Sequence, residues 1–125
     1  MIYPETFVNV IDNSGAKIVR VIRILKTFGR RRGRIGDLTI CAVQTLRKKG
    51  KIKVKKKQIC YGLIMRTKIN QQTSANFYTK FFNNAVILLN KNTNKPIGTR
   101  FFGVCSSKLR NNKQLKYLTL NLHIL

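Results

Sequence analysis

The apolar residues of this chain fall in short runs separated by polar or basic stretches, and that spacing confines it to small sheets. Thr6 to Ile11 is the first run, with Phe7, Val8, Val10 and Ile11 apolar. Lys17 to Leu25 follows. There Ile18, Ile22 and Ile24 fall on one parity, Val19, Val21 and Leu25 on the other, and Arg20 and Arg23 interrupt opposite faces. Leu38 to Leu46 (LTICAVQTL) and Ile59 to Met65 (ICYGLIM) hold the β-branched and apolar residues that strands prefer. Phe77 to Phe82 alternates weakly, and Ala85 to Leu89 (AVILL) reads as a strand buried on both faces. Runs this short do not separate strand from buried helix by periodicity; their length and the flanking Gly, Asn and Lys decide for strand. Five or six short strands with turn signals between them predict an all-β small barrel. One core is about what 125 residues support, so residues 1–125 are expected to form a single domain.

The charge balance points to the partner. Glu5, Asp12 and Asp37 are the 3 carboxylates, against 26 Lys and Arg, for a net charge of +23 and a pI near 11.0. Charge of that density repels itself and weakens a compact state unless a polyanion neutralises it. Nucleic acid is that polyanion, because its phosphates dominate affinity through counterion release. Disorder does not fit: the chain is 43% hydrophobic, and its apolar residues are patterned. No stretch reaches the roughly 18 apolar residues of a membrane span, and no amphipathic helix with a strong apolar face is evident, so no membrane partner is expected. Residues 1–10 lack the features of a signal peptide or an import presequence, which leads to the expectation that the chain starts at Met1 and is already in its working compartment.

Two segments concentrate the cations. The first is Gly29-Arg30-Arg31-Arg32-Gly33-Arg34, ahead of Gly36-Asp37. Arginine offers a planar fork of donors that matches phosphate oxygens, so four together grip a nucleic-acid backbone. The second, Arg47 to Lys57 (RKKGKIKVKKK), alternates Ile52 and Val54 with lysines and reads as an extended hairpin arm. A solvated basic face is the blander account of any such run, but with three carboxylates in the whole chain, nucleic acid is the stronger reading. The residues expected to meet phosphates are Arg30, Arg31, Arg32, Arg34, Lys48, Lys49, Lys51, Lys53, Arg66 and Lys68, with Asn13 and Ser14 adding neutral hydrogen bonds. Tyr61, Phe77, Tyr78, Phe81 and Phe82 have the chemistry to stack on bases, but aromatics in strand runs are more often core, and core is expected here.

Enzyme chemistry finds little support. The histidine His123 lies at the C-terminal end, and Asp12 and Asp37 sit in turn-like contexts where an Asp ties its own backbone. Cys41, Cys60 and Cys105 are odd in number and without C-x-x-C spacing, so neither a disulfide framework nor a zinc site is indicated; they read as small buried hydrophobes. No cofactor is expected. In the last quarter, Ser106 or Ser107 suits the cap of a short helix through Lys108, Leu109 and Arg110. Leu115 to Leu125 stays open: Leu118, Leu120, Leu122 and Ile124 alternate like a strand, whereas Leu115, Leu118 and Leu122 fit a helix.

Asn9-Val10-Ile11-Asp12-Asn13-Ser14-Gly15-Ala16 resembles the N-terminal signature of a large-subunit ribosomal protein family, the fourteenth. Similar matches follow in order. They are Arg30-Arg31, Gly36-Asp37, Arg66-Thr67-Lys68, Asn84-Ala85 with Leu88-Leu89-Asn90, Pro96-Ile97-Gly98-Thr99-Arg100 with Phe102-Gly103, and Leu109-Arg110. Each is weak alone; their order and spacing, over the whole chain, are specific.

The resemblance implies a five-stranded β-barrel with a basic hairpin or loop extension and short C-terminal helices, over about residues 105–120. It implies a structural, non-enzymatic role in translation, with large-subunit rRNA and neighbouring ribosomal proteins as partners and no homo-oligomer. It places the protein at the subunit interface, contributing to a bridge with small-subunit rRNA. In bacteria and mitochondria the same face takes the ribosome silencing factor, and that carries over onto Thr99, Arg100 and Lys116. The chain departs from the family where acidic residues are expected: Phe81-Phe82-Asn83 stands for Phe-Asp-Gly, and Lys108 for a Glu. It departs also at Val104, where the family has Pro, and at 70–76, which lack its basic and glycine character. Its wealth of Ile, Asn, Lys, Phe and Tyr fits an AT-rich organelle gene, so a mitochondrial ribosome is the expected location, with a plastid or a bacterial cytoplasm as alternatives. The rival reading is a free-standing small-barrel nucleic-acid binder, which accounts for charge and strands but not for the ordered motifs.

Overall fold

The computed structural model describes residues 2–25, 31–111 and 123–124. Five strands close on themselves: β1 (Phe7–Val10), β2 (Ala16–Ile24), β3 (Leu38–Leu46), β4 (Ile59–Arg66) and, after a hairpin, β7 (Ala85–Leu89). Neighbours run antiparallel except β1 and β7, which close the barrel in parallel, with Asn9 opposite Ala85 and Val10 opposite Val86. The hairpin is β5 (Gln71–Ser74) and β6 (Phe77–Thr79), a separate two-stranded sheet. Beyond the barrel lie β8 (Val104–Cys105), the single-turn helix α1 (Lys108–Asn111) and β9 (His123–Ile124), which pairs in parallel with β8.

Alternation explains the interior. Val8 and Val10 of β1, Val19 and Val21 of β2, Cys41 and Val43 of β3, Cys60 and Ile64 of β4, and Val86 and Leu88 of β7 form one buried cluster. The opposite face of β4 and β7 is covered too: Leu63, Met65, Ala85, Ile87 and Leu89 pack with Ile11, Ile35, Phe101, Cys105 and Leu109 in a second cluster. This second layer is why AVILL is buried along its whole length. It also gives the segment after β7 a structural task, because Phe101, Cys105 and Leu109 are the lid on that face.

Several expectations are corrected. In β2 the inward parity changes, from Val19 and Val21 to Ile24, across a register shift between Val21 and Arg23. An extra residue in one strand turns the following side chains over, so Arg20 and Arg23 both face outward instead of lying on opposite faces. The basic segment after β3 is not a paired hairpin arm. It takes the loop form, tied down where Val54 enters the barrel cluster and where the Lys57 amide donates to the Val43 carbonyl at 2.8 Å. Phe77, Tyr78 and Phe82, expected in the core, are exposed, whereas Tyr61 and Phe81 do pack against the second cluster. β6 belongs to a separate two-stranded hairpin outside the barrel, where Phe77 and Tyr78 on both its faces are exposed. The expected C-terminal helix is present at Lys108–Asn111, and the rest of 105–120 after Asn111 lies outside the described residues.

Candidate nucleic-acid interface

The turn Asp12-Asn13-Ser14-Gly15 organises one end of the barrel. Asp12 is buried, and its Oδ1 accepts the Ser14 amide at 3.1 Å and the Ser14 hydroxyl at 2.5 Å, while its Oδ2 accepts the Leu88 amide at 2.9 Å. A carboxylate with three donors is a strong clamp for a turn that would otherwise leave amides unpaired. Gly15 has φ +97, and a Cβ there would lie 2.8 Å from the Ile52 Cα, so the lysine loop reaches the turn backbone to backbone. The Arg47 amide donates to the Gly15 carbonyl and the Lys53 amide to the Ser14 carbonyl, both at 2.8 Å. Ser14, expected to offer its hydroxyl outward, is fully buried, and the hydroxyl is committed to Asp12. It belongs to the frame beneath the lysines.

Asn13 points the other way, onto the segment after β7. Its Nδ2 donates to Thr99 Oγ1 at 2.7 Å, and its Oδ1 accepts the Thr99 amide at 2.8 Å and the Arg100 amide at 3.4 Å. Thr99 and Arg100 are exposed. Phe102, 42% exposed, lies beneath the guanidinium carbons of Arg47 and Arg100, at 5.4 and 5.7 Å from its ring centroid, within cation–π range. Arg47 is anchored as well, donating through Nη2 to the Val10 carbonyl at 3.0 Å. A cavity of about 520 Å³ lies between this segment and the lysine loop, lined by Asn13, Thr99 and Phe102 on one side and by Lys49, Lys51 and Lys53 on the other.

Arg66 was expected at phosphates, but its fork is turned inward. Nε donates to the Val104 carbonyl at 2.7 Å and Nη2 to the Phe102 carbonyl at 2.5 Å, and burial pulls its pKa down. It stitches β4 to the lid of the second core. Lys68 is exposed beside it, with its amide donating to Asn84 Oδ1 at 2.9 Å. Arg31, Arg32 and Arg34 are exposed on a loop pinned by buried Gly33 and Ile35. The Gly33 amide donates to the Ile2 carbonyl at 2.6 Å, and the Ile35 amide to Gln71 Oε1 at 3.2 Å. Lys48, Lys49, Lys51 and Lys53 are exposed. Arg30 and Lys116 lie outside the described residues.

Each of the three carboxylates has a framework task. Asp37 Oδ2 accepts the Arg34 amide at 2.7 Å and closes a turn in which Gly36 has φ +93, Asp12 clamps Ser14 and Leu88, and Glu5 pairs with Arg20. That Glu5–Arg20 contact is the single ion pair among the described residues. Among the described residues no Lys or Arg side chain of the lysine and arginine loops, at opposite ends of β3, is ion-paired, although Asp37 lies beside the arginine loop.

The cysteines are buried and in no disulfide, with Cys41 opposite Cys60 across β3 and β4. Burial pushes the Cys41 thiol up to about 11 and raises that of Cys60 as well, which keeps both as thiols. Among the described residues no group of three or more His, Cys, Asp or Glu is placed to hold a metal, and no helix is long and apolar enough to cross a membrane.

Arg47 and Phe102 were missed as site residues. The signal for Phe102 is present in Phe101-Phe102: neighbours in extended backbone face opposite ways, so burying Phe101 at 5% exposure sends Phe102 outward. Arg47 gives no such signal, since its role depends on a partner 55 positions further on (Phe102, in the numbering of the chain).

A closed five-stranded barrel carrying basic loops and a clamped 98–102 segment defines the class: a structural β-barrel protein with an uncompensated cationic surface. The family model described as ribosomal protein L14p/L23e matches residues 1–125, and the chain belongs to that family. It is accordingly a structural component of the large ribosomal subunit, acts in translation, and has rRNA and ribosomal proteins as its partners.

Proposed function

We propose that the barrel binds large-subunit rRNA through its two basic loops. Arg30, Arg31, Arg32 and Arg34 act from one end, and Lys48, Lys49, Lys51 and Lys53 from the other, with Lys68 on the flank. Phosphate contacts position a protein without reading sequence, so recognition follows the shape of the folded RNA. The observation that carries this reading is that the one ion pair among the described residues is Glu5–Arg20, so the described lysines and arginines of both loops carry no side-chain ion pair. Ser14, Asn13 and Arg66 act as positioning residues: they hold the loops rather than the RNA.

The face of Thr99, Arg100 and Lys116 is assigned to the subunit interface, where it meets small-subunit rRNA at a bridge and, where one is present, the silencing factor. The Ile-, Asn- and Lys-rich composition supports a mitochondrial ribosome as the setting.

Replacing Arg30→Ala together with Arg31→Ala tests the arginine loop, and Arg31 is exposed. The double variant is expected to fold as the parent does and to incorporate poorly into large subunits. Normal incorporation contradicts the assignment.

A further inference from the structure

The cavity between the lysine loop and the 98–102 segment has a composition that phosphate gripping alone does not call for. Its volume of about 520 Å³ is that of a small-molecule site, too small for a duplex. Lys49, Lys51 and Lys53 line one side, and no carboxylate lines any part of it. The other side holds the half-exposed ring of Phe102, with the Arg47 guanidinium, also in the lining, 5.4 Å from the ring centroid. Between them, Thr99 Oγ1 accepts from Asn13, which fixes the side chain and leaves the hydroxyl proton to donate. Cations for a phosphate, stacked planar groups for a base and an oriented hydroxyl for a polar edge together make the recipe for one nucleotide.

We propose that this cavity seats a single unstacked nucleotide of RNA, its base against Phe102 and Arg47 and its phosphate among Lys49, Lys51 and Lys53. The proposal rests on the RNA-binding reading above and deepens it, because it selects looped-out or single-stranded RNA over continuous duplex. A base inside an A-form helix has both faces covered by its neighbours, whereas an extruded base offers one to an aromatic or guanidinium plane. The site is pre-formed: the Asp12 turn holds the lysine loop through Ser14 and Gly15, and Asn13 holds the opposite wall.

Titration of the full chain against two RNA hairpins tests it. One carries a single bulged 2-aminopurine; the other has the same sequence with that 2-aminopurine paired. Stacking of one base on an aromatic side chain predicts about a tenfold preference for the bulged hairpin, together with quenching of its fluorescence on binding. Phe102→Leu keeps the apolar contact but removes the ring, and is expected to reduce both the quenching and the preference. Lys51→Ala is a second variant, expected to weaken binding while the quenching at saturation persists. Equal affinity for the two hairpins, or undiminished quenching in Phe102→Leu, overturns the nucleotide site and leaves the basic-loop reading standing. Binding of neither hairpin overturns both.

Discussion

Asn13 and Thr99, 86 positions apart, hold one another through side chain and backbone at once: Nδ2 of Asn13 donates to the threonine hydroxyl while its Oδ1 accepts the threonine amide. The pair joins the first turn of the barrel to the segment assigned to the subunit interface. Gly98 permits the contact, since a Cβ there would lie 2.7 Å from Asn13 Oδ1. Asn13→Ala removes all of these bonds and leaves the Thr99 and Arg100 amides without their acceptor. These bonds are exposed, so a cost of about 0.5–1.5 kcal/mol follows, and Thr99→Ala, which spares the amide bonds, costs less. Urea unfolding of the two variants in moderate salt checks the order.

Arg66 and Gly103 form a second linkage. Gly103 has φ +85, and a Cβ on it would fall onto the Arg66 guanidinium. Gly103→Ala therefore meets backbone strain and a steric clash together, with a destabilisation of about 1–3 kcal/mol. Arg66→Lys keeps a positive charge but cannot reproduce the fork that serves the Val104 and Phe102 carbonyls. With one bond part-buried and the other exposed, the loss is expected to cost about 0.5–1.5 kcal/mol. The two variants combined are expected to be less than additive, since both loosen the same lid. Thermal melts of the singles and the double supply the cycle.

The buried thiols give a pH signature. Cys41 keeps its proton in the barrel up to about pH 11, against 9.0 for an ordinary cysteine. Between those values the unfolded chain has released a proton that the folded chain still holds. The stability contributed is therefore intact below pH 9.0 and is lost as pH rises toward 11, at about 1.4 kcal/mol per pH unit. Cys60 shifts in the same direction. The difference between the parent and Cys41→Ala isolates the thiol: the parent's stability should fall more steeply with pH. Identical pH profiles would show that burial does not hold the proton.

Binding to large-subunit rRNA should be steeply salt-dependent. With eight phosphate contacts, at about 0.7–0.9 each, log affinity falls against log salt with a slope of roughly −6 to −7. Lys49→Ala with Lys51→Ala should make that slope shallower by about 1.5, and Ser14→Ala should leave it unchanged while lowering stability. Filter binding across a salt series gives all three slopes.

The barrel was legible in the chain because Leu38–Leu46 and Ala85–Leu89 carry their strand character in their own side chains. Three features were not. The turned-over parity of β2 depends on a bulge against β3, which no single-strand pattern contains. The exposure of Phe77 and Tyr78 follows from β6 pairing with β5 outside the barrel, and an aromatic alternation reads the same inside or outside one. The inward fork of Arg66 depends on carbonyls nearly forty positions away, so an arginine in a basic chain reads as a phosphate ligand until its partners are known. Of the candidate site, the lysine and arginine loops were visible as composition. Their anchoring by Val54, Gly33 and Ile35 became visible only with the fold.

Sedimentation of a lysate through sucrose gradients at low and high salt, with this protein followed by mass spectrometry, tests the central claim most directly. An rRNA-bound component should migrate with the large subunit at low salt and remain there at high salt, where the fit to the folded RNA rather than the weakened phosphate contacts retains it. Migration near the top of the gradient, or with DNA, would contradict it and favour a free-standing binder built on the same barrel.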